Sequence, residues 1–157
     1  MSSRQGIVIV EDNYDDLFFL RRAFSRAGIA EPITCLRSGR ELIEHLTGGD
    51  PDKSKSLAPQ PKLILLDLAL PELSGLAVLE WMCKESAAQN IPVVVFTGME
   101  DPKFANRALE LGAARCYRKD PDPSNWVNTV REMAQLFEIC RVAPMPTAQD
   151  ETFRRAA

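Results

Sequence analysis

Five short apolar runs alternate with stretches of helical periodicity, and this alternation narrows the possible folds more than any other feature of the chain. Ile7-Val8-Ile9-Val10 is β-branched throughout and too short for a helix, so it reads as a strand buried on both faces. Leu63 to Leu66 and Pro92 to Phe96 read the same way. Ile33 to Arg37 and Arg115 to Arg118 are weaker runs and are expected nearer the sheet edges. A strand–helix alternation repeated in this way implies the α/β class: a doubly wound parallel sheet flanked by helices on both faces.

The intervening helices carry their own start and stop signals. Leu17, Leu20, Phe24 and Ala27 share one face, and Gly28 suits the position past the helix end. Ser38 and Glu41 have the spacing of a capping box ahead of Leu42, Ile43 and Leu46. Leu76, Leu79 and Met82 line a third helix. Asp101-Pro102 is a cap followed by a first-turn proline, and that helix stops at Gly112. Val127, Val130, Ala134 and Phe137 define the last helix, expected to start near Asp122-Pro123. Gly48 to Lys62 reads as an exposed loop. Residues 1–141 are expected to form one domain, with 142–157 a flexible C-terminal tail holding Pro144 and Pro146.

Composition excludes several classes of function. At 157 residues the chain fits one domain, and a net charge of -3 with no Lys/Arg-rich block argues against nucleic acid as a partner. The four cysteines, Cys35, Cys83, Cys116 and Cys140, form no Cys-x-x-Cys pair, and His45 is the single histidine, which disfavours zinc or a Cys-His nucleophile. Each cysteine has apolar neighbours and reads as a buried small hydrophobe. Met1 to Gly6 carry no apolar signal region, and no run approaches the ~18 apolar residues that span a bilayer. A reducing, cytoplasmic setting without membrane contact follows.

In an open α/β sheet, ligands bind outside the carboxyl ends of the strands. Strand one ends in Glu11-Asp12, strand three in Asp67 and strand four in Thr97, while strand five leads to Lys119. Asp67 alone could be a carboxylate capping the turn at Leu70-Pro71. Beside Glu11 and Asp12 that reading weakens, because crowded like charges destabilise unless a cation neutralises them. Magnesium suits such a site, since it takes oxygen ligands from one or two carboxylates and keeps waters and phosphate oxygens. Asp12 or Asn13 can also cap the first helix. Asp15 and Asp16 read as a solvated helix start favoured by the dipole. The Thr97 hydroxyl could donate to a phosphoryl oxygen or simply bond backbone. Lys119 suits a point charge that pairs with Asp67 or phosphate.

These residues, in this order, resemble the receiver domain of bacterial two-component response regulators. The motifs are Val-Glu-Asp-Asn at 10–13, Leu-Leu-Asp-Leu-Ala-Leu-Pro from 65 with Gly75, Val-Val-Val-Phe-Thr-Gly at 93–98, and Gly-Ala-Ala from 112 with Lys119. The resemblance runs from about Ile7 to Cys140, and its finer points are similar to single-domain regulators of phytochrome-type histidine kinases. It implies a flavodoxin-like fold with strand order 2-1-3-4-5 and makes Asp67 the phosphoacceptor. Asp12, Asp67 and the Ala69 carbonyl would hold magnesium, with Glu11 helping through water, and Thr97 and Lys119 would hold phosphoryl oxygens. The phosphodonor would be a sensor histidine kinase, and the product altered binding to a downstream protein, with a homodimer left open.

Three departures from the family pattern stand out. The family usually has Pro after its lysine, with a cis bond between them; here Asp120 follows Lys119 and Pro121 comes one later. A non-proline cis bond costs ~2.5–4 kcal/mol, so either the site tolerates it or the loop is rebuilt. The aromatic switch position falls on Cys116, with Tyr117 adjacent, and strand neighbours face opposite sides. Ala69 and Met99 occupy positions that tune phosphoryl lifetime, and neither side chain can hold an attacking water, which implies slow self-dephosphorylation. Two alternatives to the phosphorylated switch remain: a receiver that binds partners without phosphorylation, and an aspartyl-phosphate phosphohydrolase. The latter typically needs a second Asp two residues after the nucleophile, where this chain has Ala69.

Overall fold

The computed structural model describes residues 4–48, 60–86 and 88–142. Most of the 48–62 loop and nearly all of the expected 142–157 tail therefore lie outside the described residues. Strands β1 (Ile7–Val10), β2 (Ile33–Leu36), β3 (Leu63–Leu66), β4 (Val93–Thr97) and β5 (Arg115–Arg118) alternate with helices α1 (Tyr14–Arg26), α2 (Gly39–Thr47), α3 (Gly75–Lys84), α4 (Pro102–Glu110) and α5 (Trp126–Leu136). The strands form one parallel sheet in the order β2-β1-β3-β4-β5.

The two-residue side-chain period divides the core into two layers. Val8, Val10, Ile64, Leu66, Val93 and Val95 pack on Leu42, Val78, Leu79 and Ala108 of α2, α3 and α4. Ile7, Ile9, Leu63, Leu65, Val94 and Phe96 pack on Leu20, Phe24, Trp126 and Val130 of α1 and α5. Strands β1, β3 and β4 are buried along their whole length, whereas the edge strands β2 and β5 are half open. Covering both faces of a parallel sheet requires continuous apolar strands in the middle, and only those three runs supply them.

Local signals act at the helix ends. Asn13 caps α1 by accepting from the Asp16 amide, and Asp101 caps α4 with Pro102 in its first turn. Ser38 caps α2, but Glu41 returns its bond to the Arg37 amide rather than to Ser38, one residue earlier than a capping box. The expected helix start at Asp122-Pro123 is a 3-10 turn over Pro123–Asn125, and α5 proper begins at Trp126. The Trp126 ring stacks edge-on to Phe96 at 5.0 Å, and its indole donates to the Asp120 carbonyl at 2.9 Å. That bond anchors the β5–α5 loop.

The cysteine expectation fails in part: Cys83 and Cys140 are exposed, and Cys35 and Cys116 only half-buried. Cys83 follows Met82, so it lies about 100° round the helix from the face that meets the sheet. Cys140 lies beyond α5, where residues 140–142 run back along the end of α1: Ala30 N donates to Cys140 O at 2.9 Å and Val142 N to Gly28 O at 2.7 Å. No helix among the described residues is long and apolar enough to cross a membrane.

Candidate functional site

The sheet register brings the site together. Val10 pairs with Leu66, so the next residues, Glu11 and Asp67, emerge side by side. Their amides are held by neighbouring strands: Glu11 N donates to Leu36 O at 3.0 Å, and Asp67 N to Val10 O at 3.1 Å. Leu66 pairs with Val95 on the other side, which brings Thr97 to the same edge. The Lys119 amide donates to Thr97 O at 2.8 Å and starts the β5–α5 loop there. This is the sheet's switch point, where connections leave in opposite directions and open a crevice.

Gly75 is needed for the β3–α3 loop to close beneath Asp67. Its amide donates to Leu68 O at 3.0 Å. A Cβ at Gly75 would lie 2.4 Å from the Asp67 carbonyl oxygen and 2.7 Å from Leu68 Cα.

Glu11, Asp67 and Thr97 are the buried polar residues among those described, at 1%, 5% and 4% exposure. The Lys119 ammonium lies among the carboxylates, 2.7 Å from Glu11 Oε2, 2.7 Å from Asp16 Oδ2 and 3.2 Å from Asp67 Oδ2. The other oxygens are also engaged. Asp67 Oδ1 accepts from the Ala69 amide at 3.2 Å, and Glu11 Oε1 from the Asn13 amide at 3.1 Å. Burial, and after it the Asp67 carboxylate, push the Glu11 carboxyl up to about 7 against the pull of Lys119. Burial works against the charge on Lys119, but Asp67, Asp16 and Glu11 outweigh it and raise its pKa.

Glu11, Asp12 and Asp67 each offer an oxygen, and these oxygens lie within 4.8 Å of one another. Oxygen ligands bind magnesium at about 2.1 Å and calcium at about 2.3–2.6 Å, so one ion is within reach of this set. The residues fit a divalent cation in chemistry as well as spacing. With Asp16 the cluster holds four carboxylates against one ammonium, which pairs with three of them, and an added cation would relieve the excess.

Sequence reasoning placed Asp16 in solvent, and the structure corrects this. Asp16 lies in the first turn of α1, whose N-cap Asn13 directly follows Asp12, and its carboxylate meets Lys119. Asp15, by contrast, is exposed.

The remaining expected residues fall as follows. Thr97 Oγ1 accepts from the Met99 amide at 3.2 Å. Ala69 is exposed beside Asp67. The Cys116 thiol points to α4 and donates to Ala105 O at 3.6 Å, whereas Tyr117 packs on the opposite, α1/α5 layer. The Tyr117 hydroxyl is buried without a hydrogen-bond partner among the described residues. Burial first, and the Glu132 carboxylate after it, push its pKa to about 12. No peptide bond among the described residues is cis, so the Lys119–Asp120 bond is trans. The loop is rebuilt instead: Asp120 accepts from the Asp122 amide through its side chain and from Trp126 through its carbonyl.

Comparison with known proteins gives a family match to the response regulator receiver domain over residues 7–131. A probable methanogenesis regulatory protein, FilR2 of Methanothrix harundinacea, is 37% identical over 94 residues. The match covers 58% of this chain and 56% of FilR2, so the chain spans just over half of that protein's length. The bacteriophytochrome response regulator AtBRR is 25% identical with a TM-score of 0.68, over 90% of this chain and 97% of that one. A Mn(2+)-bound form of the response regulator Rcp1 shares the fold at 24% identity and a TM-score of 0.74, covering 88% of this chain and 99% of that one.

Proposed function

The chain belongs to the response-regulator receiver family, and on that premise we propose that it is a phosphoryl-accepting switch with Asp67 as the acceptor. One observation supports this above the others. The buried Asp67 carboxylate stands at a strand end with Lys119 on one oxygen, an amide on the other, and Glu11 and Asp12 within reach of a shared cation.

In the proposed transfer, an Asp67 carboxylate oxygen attacks phosphorus and an O–P bond forms. The P–N bond to a donor imidazole breaks, and the electron pair leaves on that nitrogen, which takes a proton from solvent. Asp67 is the covalent nucleophile. Lys119, held in its charged form, meets the negative charge on the phosphoryl oxygens. Asp12, Asp67 and the Ala69 carbonyl would hold magnesium or a similar divalent ion, with Glu11 acting through water, as the family resemblance implies. When bound, the ion supplies charge neutralisation at the phosphoryl group.

Thr97 Oγ1 accepts a bond in this state, which leaves its O–H free to donate to a phosphoryl oxygen. That donation would pull the β4–α4 turn inward and bias the face of α4, β5 and α5. At the switch position Cys116 offers a small thiol rather than a ring, so the shift would be carried by Thr97 and its turn.

The donor is a phosphohistidine of a sensor kinase, and the likeness to AtBRR favours one of phytochrome type. The output is altered binding to a downstream protein in the cytoplasm, one phosphoryl per chain rather than turnover. The test is incubation with acetyl phosphate and magnesium, followed by mass measurement of the wild type and of Asp67→Asn. A single phosphoryl adduct on the wild type, absent from Asp67→Asn, is expected. Labelling of Asp67→Asn would overturn the assignment. Repeated phosphate release would favour the phosphohydrolase, and an unlabelled wild type the phosphorylation-independent binding module.

A further inference from the structure

Arg37 lies outside every role assigned above, yet it reaches the loop that carries the acidic cluster. It follows β2, and its own amide is fixed by Glu41 Oε2 at 2.7 Å. From there Nη2 donates to the backbone carbonyl of Asp12 at 3.0 Å, and Nη1 donates to the Tyr14 hydroxyl. The guanidinium also lies over the Tyr14 ring, 3.6 Å from its centroid. Tyr14 is otherwise 69% exposed, so the stack is its main contact.

Two features set this arginine apart from an ordinary surface cation. It stands next to an acidic cluster, yet it forms no ion pair with a carboxylate among the described residues, and its Nε is buried without a partner. The Asp12 carboxylate, for its part, makes no hydrogen bond to any described residue. Asp12 lies between β1 and α1, where no ladder holds the backbone. A planar fork engaging a carbonyl and a phenol at once restrains the peptide after Asp12, and with it the direction of the side chain.

We propose that Arg37, clamped on Tyr14, is a positioning residue for the divalent cation: it holds Asp12 so that its carboxylate faces Asp67. This rests on the cation reading of the acidic cluster given above. A charge effect and a positioning effect have opposite signs here. A guanidinium that acted only through its charge would repel the cation, and its removal would tighten binding. A guanidinium that positions Asp12 strengthens binding, and its removal weakens it. Partners that orient metal ligands typically change affinity about 10–100-fold when removed.

The test is Mn2+ titration by calorimetry of the full chain, alongside metal-free thermal melting. Arg37→Ala is expected to raise the Mn2+ dissociation constant about tenfold while melting within a few degrees of wild type. In phosphorylation by acetyl phosphate, the cation concentration giving half the maximal rate should shift more than the maximal rate itself. Tyr14→Phe, which keeps the ring and loses the hydroxyl, should fall between wild type and Arg37→Ala. Arg37→Lys keeps the charge but not the fork, and should remain several-fold weaker than wild type. Unchanged or tighter binding by Arg37→Ala, or wild-type binding by Arg37→Lys, would overturn the inference alone. A wild type whose Mn2+ binding is untouched by Asp12→Asn would overturn the cation reading, and this inference with it.

Discussion

The Lys119 ammonium sits 2.7 Å from a carboxylate oxygen of Glu11, although 108 residues separate the two. The same nitrogen also meets Asp16 and Asp67, so one cation holds three acidic side chains, two from the β1–α1 junction and one from the end of β3. Removing a partner from a buried ionic group leaves charge uncompensated, typically at a cost of 3–5 kcal/mol. Lys119→Met keeps the aliphatic stem and deletes the charge. It should lower metal-free stability by on the order of 3 kcal/mol, with part of the loss recovered when magnesium is added. Urea unfolding with and without the ion checks this, and a metal-free midpoint equal to wild type would contradict it.

The Glu11 carboxyl, raised from 4.5 to about 7, makes cation binding depend on pH. A cation favours the ionised carboxylate, so affinity should rise with pH up to about 7 and flatten above it, with proton release on binding below that point. The sign for stability is opposite. The folded metal-free chain keeps this proton where the unfolded chain has lost it, so the group's contribution falls as pH rises from 4.5 to about 7. Calorimetry in buffers of different ionisation enthalpy measures the released proton. Glu11→Gln should flatten the profile; an unaltered profile would assign the proton to another group.

Gly75→Ala should disturb the proposed acceptor, Asp67, from the far side of its loop. The added methyl would meet the Asp67 carbonyl oxygen and the Leu68 Cα, which are backbone atoms with little freedom to move. Overpacking of this kind costs about 1–3 kcal/mol or more, and here it should also slow phosphoryl uptake by displacing Asp67. Thermal melting and the rate of labelling check the two effects separately. Wild-type values in both would mean that the loop yields without strain.

Phosphoryl lifetime should be long. Ala69 and Met99 lie two residues beyond Asp67 and Thr97, one exposed and the other half-buried against the α4 layer, and neither side chain can orient a water for attack. Loss of phosphate from the isolated phosphoprotein should therefore be slow, and Ala69→Asn, which adds a polar group, should speed it several-fold. Rapid release from the wild type would show that water is held by other groups.

Much of this was legible from residue order. The short continuous apolar runs and the caps at Asn13, Ser38 and Asp101 are local signals, and they placed the strands and most helix starts. The convergence of Glu11, Asp12, Asp67 and Thr97 could be anticipated because strands in such a fold end on one edge, so naming the strands named their termini. The structure decided what these local signals could not carry. Asp16 turns to Lys119, Arg37 reaches Asp12, and Cys83 and Cys140 face outward. The trans Lys119–Asp120 bond belongs to a loop anchored on the Trp126 indole. The Asp16–Lys119 and Arg37–Asp12 contacts depend on the crossing of elements far apart in sequence. Local patterning decides which face of an element is apolar, whereas the meeting of two polar side chains depends on how those faces are docked in three dimensions.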